Sequence, residues 1–108
     1  MDEILKQSLL YDFYGELLTS HQKEIYEQFI VEDLSLSEIA RDAGISRQGV
    51  HDIIKRCNKI LEEYEEKLHL VEKFLAISEK VHRIHDLLTE AEDLEEIRKI
   101  SKEIIEEL

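Results

Sequence analysis

The sequence predicts an all-α protein, a helix-turn-helix bundle followed by a long helix and a C-terminal helix that form a coiled-coil-like arm. Three observations carry this. Proline is absent from all 108 residues, so nothing forbids long helices. Apolar residues recur at steps of three and four along the chain, and no stretch shows the two-residue alternation of a half-buried strand. Residues 36 to 55 combine a small contact residue, a Gly turn and spaced apolar positions in the order two crossed short helices require. The expected organisation is a helix-turn-helix domain over 1–60, with its recognition helix starting at 47, and an acidic helical arm over 61–108.

Taken in order, Leu5, Leu9, Phe13 and Leu17 repeat every four residues between Ile4 and Leu18, with Leu10, Tyr14 and Leu18 on the adjacent stripe, which predicts a first helix. Thr19 and Ser20 supply hydroxyl caps for a second, in which Ile25, Phe29 and Ile30 face inward, Tyr26 lies at the edge and the end falls near Val31. Ser35-Leu36-Ser37-Glu38 has capping-box spacing, so a third helix starts at about Leu36. Gly44 ends it after two turns, where the chain must take a left-handed conformation. Ser46 caps a fourth helix that meets no further break except Gly49 in its first turn. Positions 57, 61, 64, 68, 71, 75 and 78 hold Cys, Leu, Tyr, Leu, Val, Leu and Ser, a seam alternating steps of four and three, so this helix is expected to run far into the tail. A break is expected near 86–92, where Thr89 and the acidic residues after it suit a helix start. Leu94, Ile97, Ile104, Ile105 and Leu108 then mark the last helix.

Within the motif, counted from Leu36, Ile39 is the inward apolar residue and Ala40 the small contact. Ala43 and Gly44 enter the turn, Ile45 plugs it, and Val50 and Ile53 form the inner face of the second helix. The opposite face exposes Arg47, Gln48, His51, Asp52, Lys55 and Arg56, side chains able to bond base edges and phosphates. Arg47, Gln48 and His51 are the candidate base readers, and Lys55, Arg56 and Lys59 the candidate phosphate contacts.

Charge divides the chain. The formal net charge is −12. Residues 1–61 hold 7 Lys+Arg and 11 Asp+Glu, net −4, and residues 62–108 hold 7 and 15, net −8. Within 41–59, five cations oppose two carboxylates, a local +3 that coincides with the motif. Bulk acidity opposes an encounter with phosphates, and the patch favours one. The single Cys57 cannot form an internal disulfide and is expected as a small buried thiol. His82-x-x-His85, with Asp86 and His69, has spacing that could hold a metal, but the reading taken is of surface histidines, with no metal or cofactor. The pairs Glu62-Glu63, Glu65-Glu66, Glu95-Glu96 and Glu106-Glu107 point about 100° apart on a helix and are solvated faces rather than acid–base dyads. With no phosphate loop and no nucleophile elbow, the chain is not expected to be an enzyme. Its Met1-Asp2-Glu3 start lacks a secretory profile and no run approaches membrane length, so a cytoplasmic protein is expected.

Phe13-Tyr14 with Leu17-Leu18-Thr19, then Leu34-Ser35-Leu36-Ser37-Glu38-Ile39-Ala40, Ile45-Ser46-Arg47-Gln48, Lys55-Arg56 and Glu65-Glu66-Lys67-Leu68, resembles the YlxM family over about residues 10–70. These are small proteins of Gram-positive bacteria whose gene commonly lies beside that of the signal recognition particle GTPase. Their helix-turn-helix is similar to the promoter-reading carboxy-terminal domain of sigma factors. The resemblance implies a DNA-binding regulatory protein, or an accessory that binds the RNA or GTPase of the signal recognition particle without a promoter. Both remain open on the residues. Because an exposed seam would be sticky and paired recognition helices raise affinity, a two-fold homodimer is expected.

Overall fold

The computed structural model describes residues 2–90 and 94–108. Six α-helices and one 3₁₀ turn account for them, with no strand among the described residues: α1 (Glu3–Tyr14), the turn Gly15–Leu17, α2 (Ser20–Ile30), α3 (Leu36–Ala43), α4 (Arg47–Leu68), α5 (Leu70–Glu90) and α6 (Leu94–Glu107). The chain divides into two compact units, Met1–His69 and Leu70–Leu108.

Each helix start in the first unit is written locally. The Asp2 carboxylate accepts the Leu5 N–H at 3.0 Å. Thr19 with Gln22, and Ser35 with Glu38, form reciprocal capping boxes in which hydroxyl and side-chain oxygen each accept a backbone N–H at 3.0–3.2 Å. Such boxes satisfy donors that the helix cannot. The first helix does not continue to Leu18 as its periodicity suggests. It tightens at Gly15, where the Tyr11 ring lies so close that a Cβ would sit 2.7 Å from it.

The core of this unit is Leu10, Tyr14, Leu18, Ile25, Tyr26, Ile39, Val50, Ile54, Cys57 and Leu61, each below one-tenth exposed. α4 packs against α1, α2 and α3, so it is the central pillar. Only the second of the two expected stripes on α1 is inward: Leu5, Phe13 and Leu17 are exposed. Tyr26, expected at the edge, is fully buried, because its phenol donates to Asn58 on α4 while the ring lies 5.5 Å from that of Tyr11. Tyr11 donates to Glu27 at 2.5 Å and Tyr14 to Glu65 at 2.6 Å. Each phenol thus buries its ring and satisfies its hydroxyl. Phe29 and Ile30 are only half-buried.

The long fourth helix and its seam need correction. α4 stops at Leu68, where His69 takes a left-handed conformation (φ 57°) and its N–H bonds the Glu65 carbonyl at 2.8 Å. The compact units therefore part at His69, while residues 60 and 61 lie within α4. Cys57 and Leu61 belong to the core of the first unit, and Leu68 is exposed. The break expected near 86–92 comes toward the end of that span. α5 runs to Glu90, and the Thr89 hydroxyl donates back to the His85 carbonyl at 3.0 Å instead of capping the next helix. Residues 91–93 of that expected start, with its carboxylates Glu92 and Asp93, lie outside the described residues.

In the second unit α5 and α6 pack together. Lys80 is paired with Glu107 and, at 3.7 Å, with Glu103, and Arg83 meets Glu96 at 2.9 Å. The buried residue of α6 is Ile100, absent from the expected set, whereas Leu94, Ile105 and Leu108 are exposed. Among the described residues no helix is long and apolar enough to cross a membrane.

Candidate nucleic-acid interface

The helix-turn-helix is formed by α3, the turn at Gly44–Ser46 and the first turns of α4. Ile39 and Ala40 of α3 face Val50 and Ile54 of α4 in the core. Gly44 closes α3 in the left-handed region (φ 70°), and the next N–H, that of Ile45, reaches the Ala40 carbonyl at 3.2 Å. A side chain there would meet no neighbouring atom, so the requirement for Gly is conformational, not steric crowding. The Ser46 hydroxyl then accepts the Gly49 N–H at 2.9 Å and starts α4 at Arg47. Two expected positions shift. Ile45 is at the edge of the turn, 36% exposed, rather than a buried plug. The inner stripe of α4 is Val50, Ile54, Cys57 and Leu61, so Ile53 sits at its border.

That stripe decides where the rest of α4 points. At about 100° per residue, the face opposite it carries Arg47, Gln48, His51, Asp52, Lys55, Arg56 and Lys59. All seven are exposed. From Arg47 to Lys59 the face runs about 18 Å at ~1.5 Å per residue, or about five base-pair steps. None of Arg47, Lys55, Arg56 and Lys59 makes an ion pair among the described residues, in contrast to Lys23, Lys80 and Arg83. Their charges are available to a ligand.

Gln48 is held in place. Its amide donates to the Asp52 carboxylate at 3.0 Å, and the His51 Nδ1 lies 3.5 Å from both. Asp52, named on the exposed face but given neither a base nor a phosphate role, orders the Gln48 amide. Leu36, at the start of α3, joins Arg47, Gln48 and His51 around a shallow depression of about 330 Å³. On the other side, Thr19, His21 and Gln22 at the start of α2 join Asp52, Ile53 and Arg56 around one of about 610 Å³. The α2 residues were not among the sequence candidates. The signal for them was the Thr19 cap, since a helix start presents free N–H groups to anions.

Chemically the face offers a guanidinium fork for a guanine edge or a phosphate, an amide suited to adenine, and two lysines suited to phosphates. The histidine pair of α5 differs in kind. His82 donates from Nδ1 to the Ser78 carbonyl at 2.7 Å, and no group of three His, Cys, Asp or Glu able to hold a metal occurs among the described residues. Cys57 is buried in the core, which pushes its thiol up to about 11.

Residues 1–104 match the family described as "UPF0122: Putative helix-turn-helix protein, YlxM / p13 like". The match extends well beyond the residues 10–70 that carry the resemblance in the sequence. A UPF0122 protein of Thermoanaerobacter sp. (strain X514) is 46% identical over 110 residues, spanning 99% of this chain and 94% of that one. One of Caldanaerobacter subterraneus subsp. tengcongensis is 48% identical over 87 residues, 81% of this chain and 74% of the relative. One of Bacillus cereus (strain AH187) is 41% identical over 108 residues, covering 100% and 98%.

Proposed function

Because the chain belongs to the UPF0122 family of YlxM/p13-like helix-turn-helix proteins, we propose that it is a DNA-binding regulatory protein, linked to the signal recognition particle pathway and acting in the cytoplasm as a two-fold dimer. The observation that carries the reading is the outer face of α4, where Arg47, Lys55, Arg56 and Lys59 are exposed and free of ion pairs among the described residues, on a protein of net charge −12. Arg47, Gln48 and His51 read base edges, while Lys55, Arg56 and Lys59 hold phosphates. Four cations per copy make a weak electrostatic footprint, and two copies joined on one duplex make a useful one. The link to the pathway rests on the resemblance alone. The test is a titration of short DNA duplexes and RNA hairpins at several salt concentrations. Binding at low salt that weakens with added salt is expected, and no affinity for either at low salt overturns the reading.

One observation favours a second reading. Residues 62–108 carry net −8, which suits a basic protein partner better than a phosphate backbone. In that reading the protein is an accessory of the signal recognition particle, docking on its GTPase or RNA with no promoter involved. Capture of that GTPase by the intact chain, lost when the chain stops at His69, supports it, and capture that survives the truncation rejects it.

A further inference from the structure

A carboxylate stands on a face whose other charges are cations. Asp52 shares the outer side of α4 with Arg47, Lys55, Arg56 and Lys59, and its side chain is 65% exposed on a chain whose net charge is already −12. Facing a duplex, it repels phosphates whatever the sequence. Its short hydrogen bond is to Gln48, whose Nε2 donates to Oδ1 at 3.0 Å. The two residues are four apart, so they stand on one side of the helix, and Asp52 leans back toward Gln48 as helical side chains do. His51 Nδ1, 3.5 Å from both, is at the limit of a hydrogen bond.

That bond fixes which way the amide faces. An ionised carboxylate only accepts, so the Gln48 atom beside it is the nitrogen, and a flipped amide would set Oε1 against Oδ1. Held in this way, Gln48 keeps one N–H and its Oε1 for a ligand, a donor beside an acceptor in one plane. In the major groove adenine offers the complement, an N6 amine that donates and an N7 that accepts. Guanine offers two acceptors, O6 and N7, so one of them would face Oε1, with the Asp52 charge close behind. We propose that Asp52 sets base choice at Gln48: by holding the amide it admits adenine and rejects guanine. Asp52 is a positioning residue in this arrangement, and Gln48 is the one that touches the base. The inference rests on the reading of the α4 face as DNA-binding and assigns the base at one position of it. Without Asp52 the amide turns freely, its NH2 group can serve guanine, and the two purines become nearly equal.

The test is selection of binding sites by the intact chain from a pool of randomised duplexes at low salt, followed by Kd measurement on duplexes that differ by A or G at the selected position. The unsubstituted chain should favour adenine there by roughly 5- to 150-fold, the discrimination of one bidentate pair. Gln48→Ala should erase that preference. Asp52→Ala should bring the A-to-G ratio near one while tightening binding overall, and Asp52→Asn, whose Oδ1 still accepts, should keep more of the preference than Asp52→Ala. Both side chains are exposed, so the helicity of all three variants should match that of the unsubstituted chain. No affinity for any duplex overturns the DNA-binding reading and this inference with it. Binding without an adenine preference that Gln48→Ala removes, or an A-to-G ratio that Asp52→Ala leaves unchanged, overturns the inference alone. Loss of a cytosine preference in Asp52→Ala overturns it too, since a carboxylate that accepts from the cytosine amine is itself a reader. Equal behaviour of Asp52→Asn and Asp52→Ala overturns the holding bond in favour of charge alone.

Discussion

In the proposed reading, single side chains on α4 divide into readers and anchors, and substitution separates them. Arg47→Ala should relax sequence choice, costing about 1–3 kcal/mol at one base position, whereas Lys55→Ala should weaken all sequences alike and reduce the slope of log K against log salt by ~1; competition titrations measure both. Asp52→Ala removes a negative charge from the face and releases Gln48. Tighter but less discriminating binding is expected from the same assay. Away from the face, the Glu38 carboxyl is held below its ordinary value of 4.5 by its bonds with Ser35. A carboxyl lowered in the folded state contributes stability that is complete above the ordinary value and is lost as pH falls through the lowered one. Thermal melting from pH 7 to 3 should show that acid loss reduced in Glu38→Gln, whose amide oxygen still accepts the Ser35 N–H. Cys57, pushed up to about 11 by burial, stays protonated at neutral pH, so thiol reagents should label it only when the chain unfolds.

At the scale of elements, helix starts are where the chain is most explicit. Thr19–Gln22, Ser35–Glu38 and Ser46 each announce a start within four residues, and α2, α3 and α4 begin where they say. Gly44 was equally legible, because only its conformation is at stake. Gly44→Ala should cost about 1–2 kcal/mol in chemical denaturation, the penalty for a Cβ in the left-handed region. What could not be read depends on distant partners or on residues that carry no signal. Tyr26 looks like an edge residue until Asn58, thirty-two positions away, takes its phenol proton. His69 ends α4 in a conformation normally marked by Gly or Asn, so the heptad spacing seemed to pass straight through it. Spacing across a break is fortuitous: Cys57 and Leu61 fill a core while Leu68 faces outward. That Arg47, Gln48, His51, Lys55, Arg56 and Lys59 share the exposed side of α4 was legible because the inner stripe is regular. Asp52 was placed on that face without a role, because its bond to Gln48 is a side-chain contact that spacing does not announce.

For the whole molecule, charge and partition matter more than any one contact. The three proposed phosphate contacts, Lys55, Arg56 and Lys59, would set a salt slope of about −2.7 per copy, at roughly 0.9 per neutralised phosphate. The surrounding acidity should make the observed value shallower, a comparison that one titration series settles. Partition also governs stability. Leu61→Ala, at a fully buried site, should cost about 2–5 kcal/mol, whereas Leu68→Ala, 48% exposed at the end of the same helix, should cost under ~1 kcal/mol. One helix therefore answers to two masters. Its inner stripe of Val50, Ile54, Cys57 and Leu61 is committed to α1, α2 and α3, while Arg47, Gln48, His51 and Lys55 owe nothing to the core. Mutational drift can rewrite the outer side without disturbing the fold, so a lineage of such proteins can acquire new targets by a few substitutions on one helix while inheriting the scaffold whole.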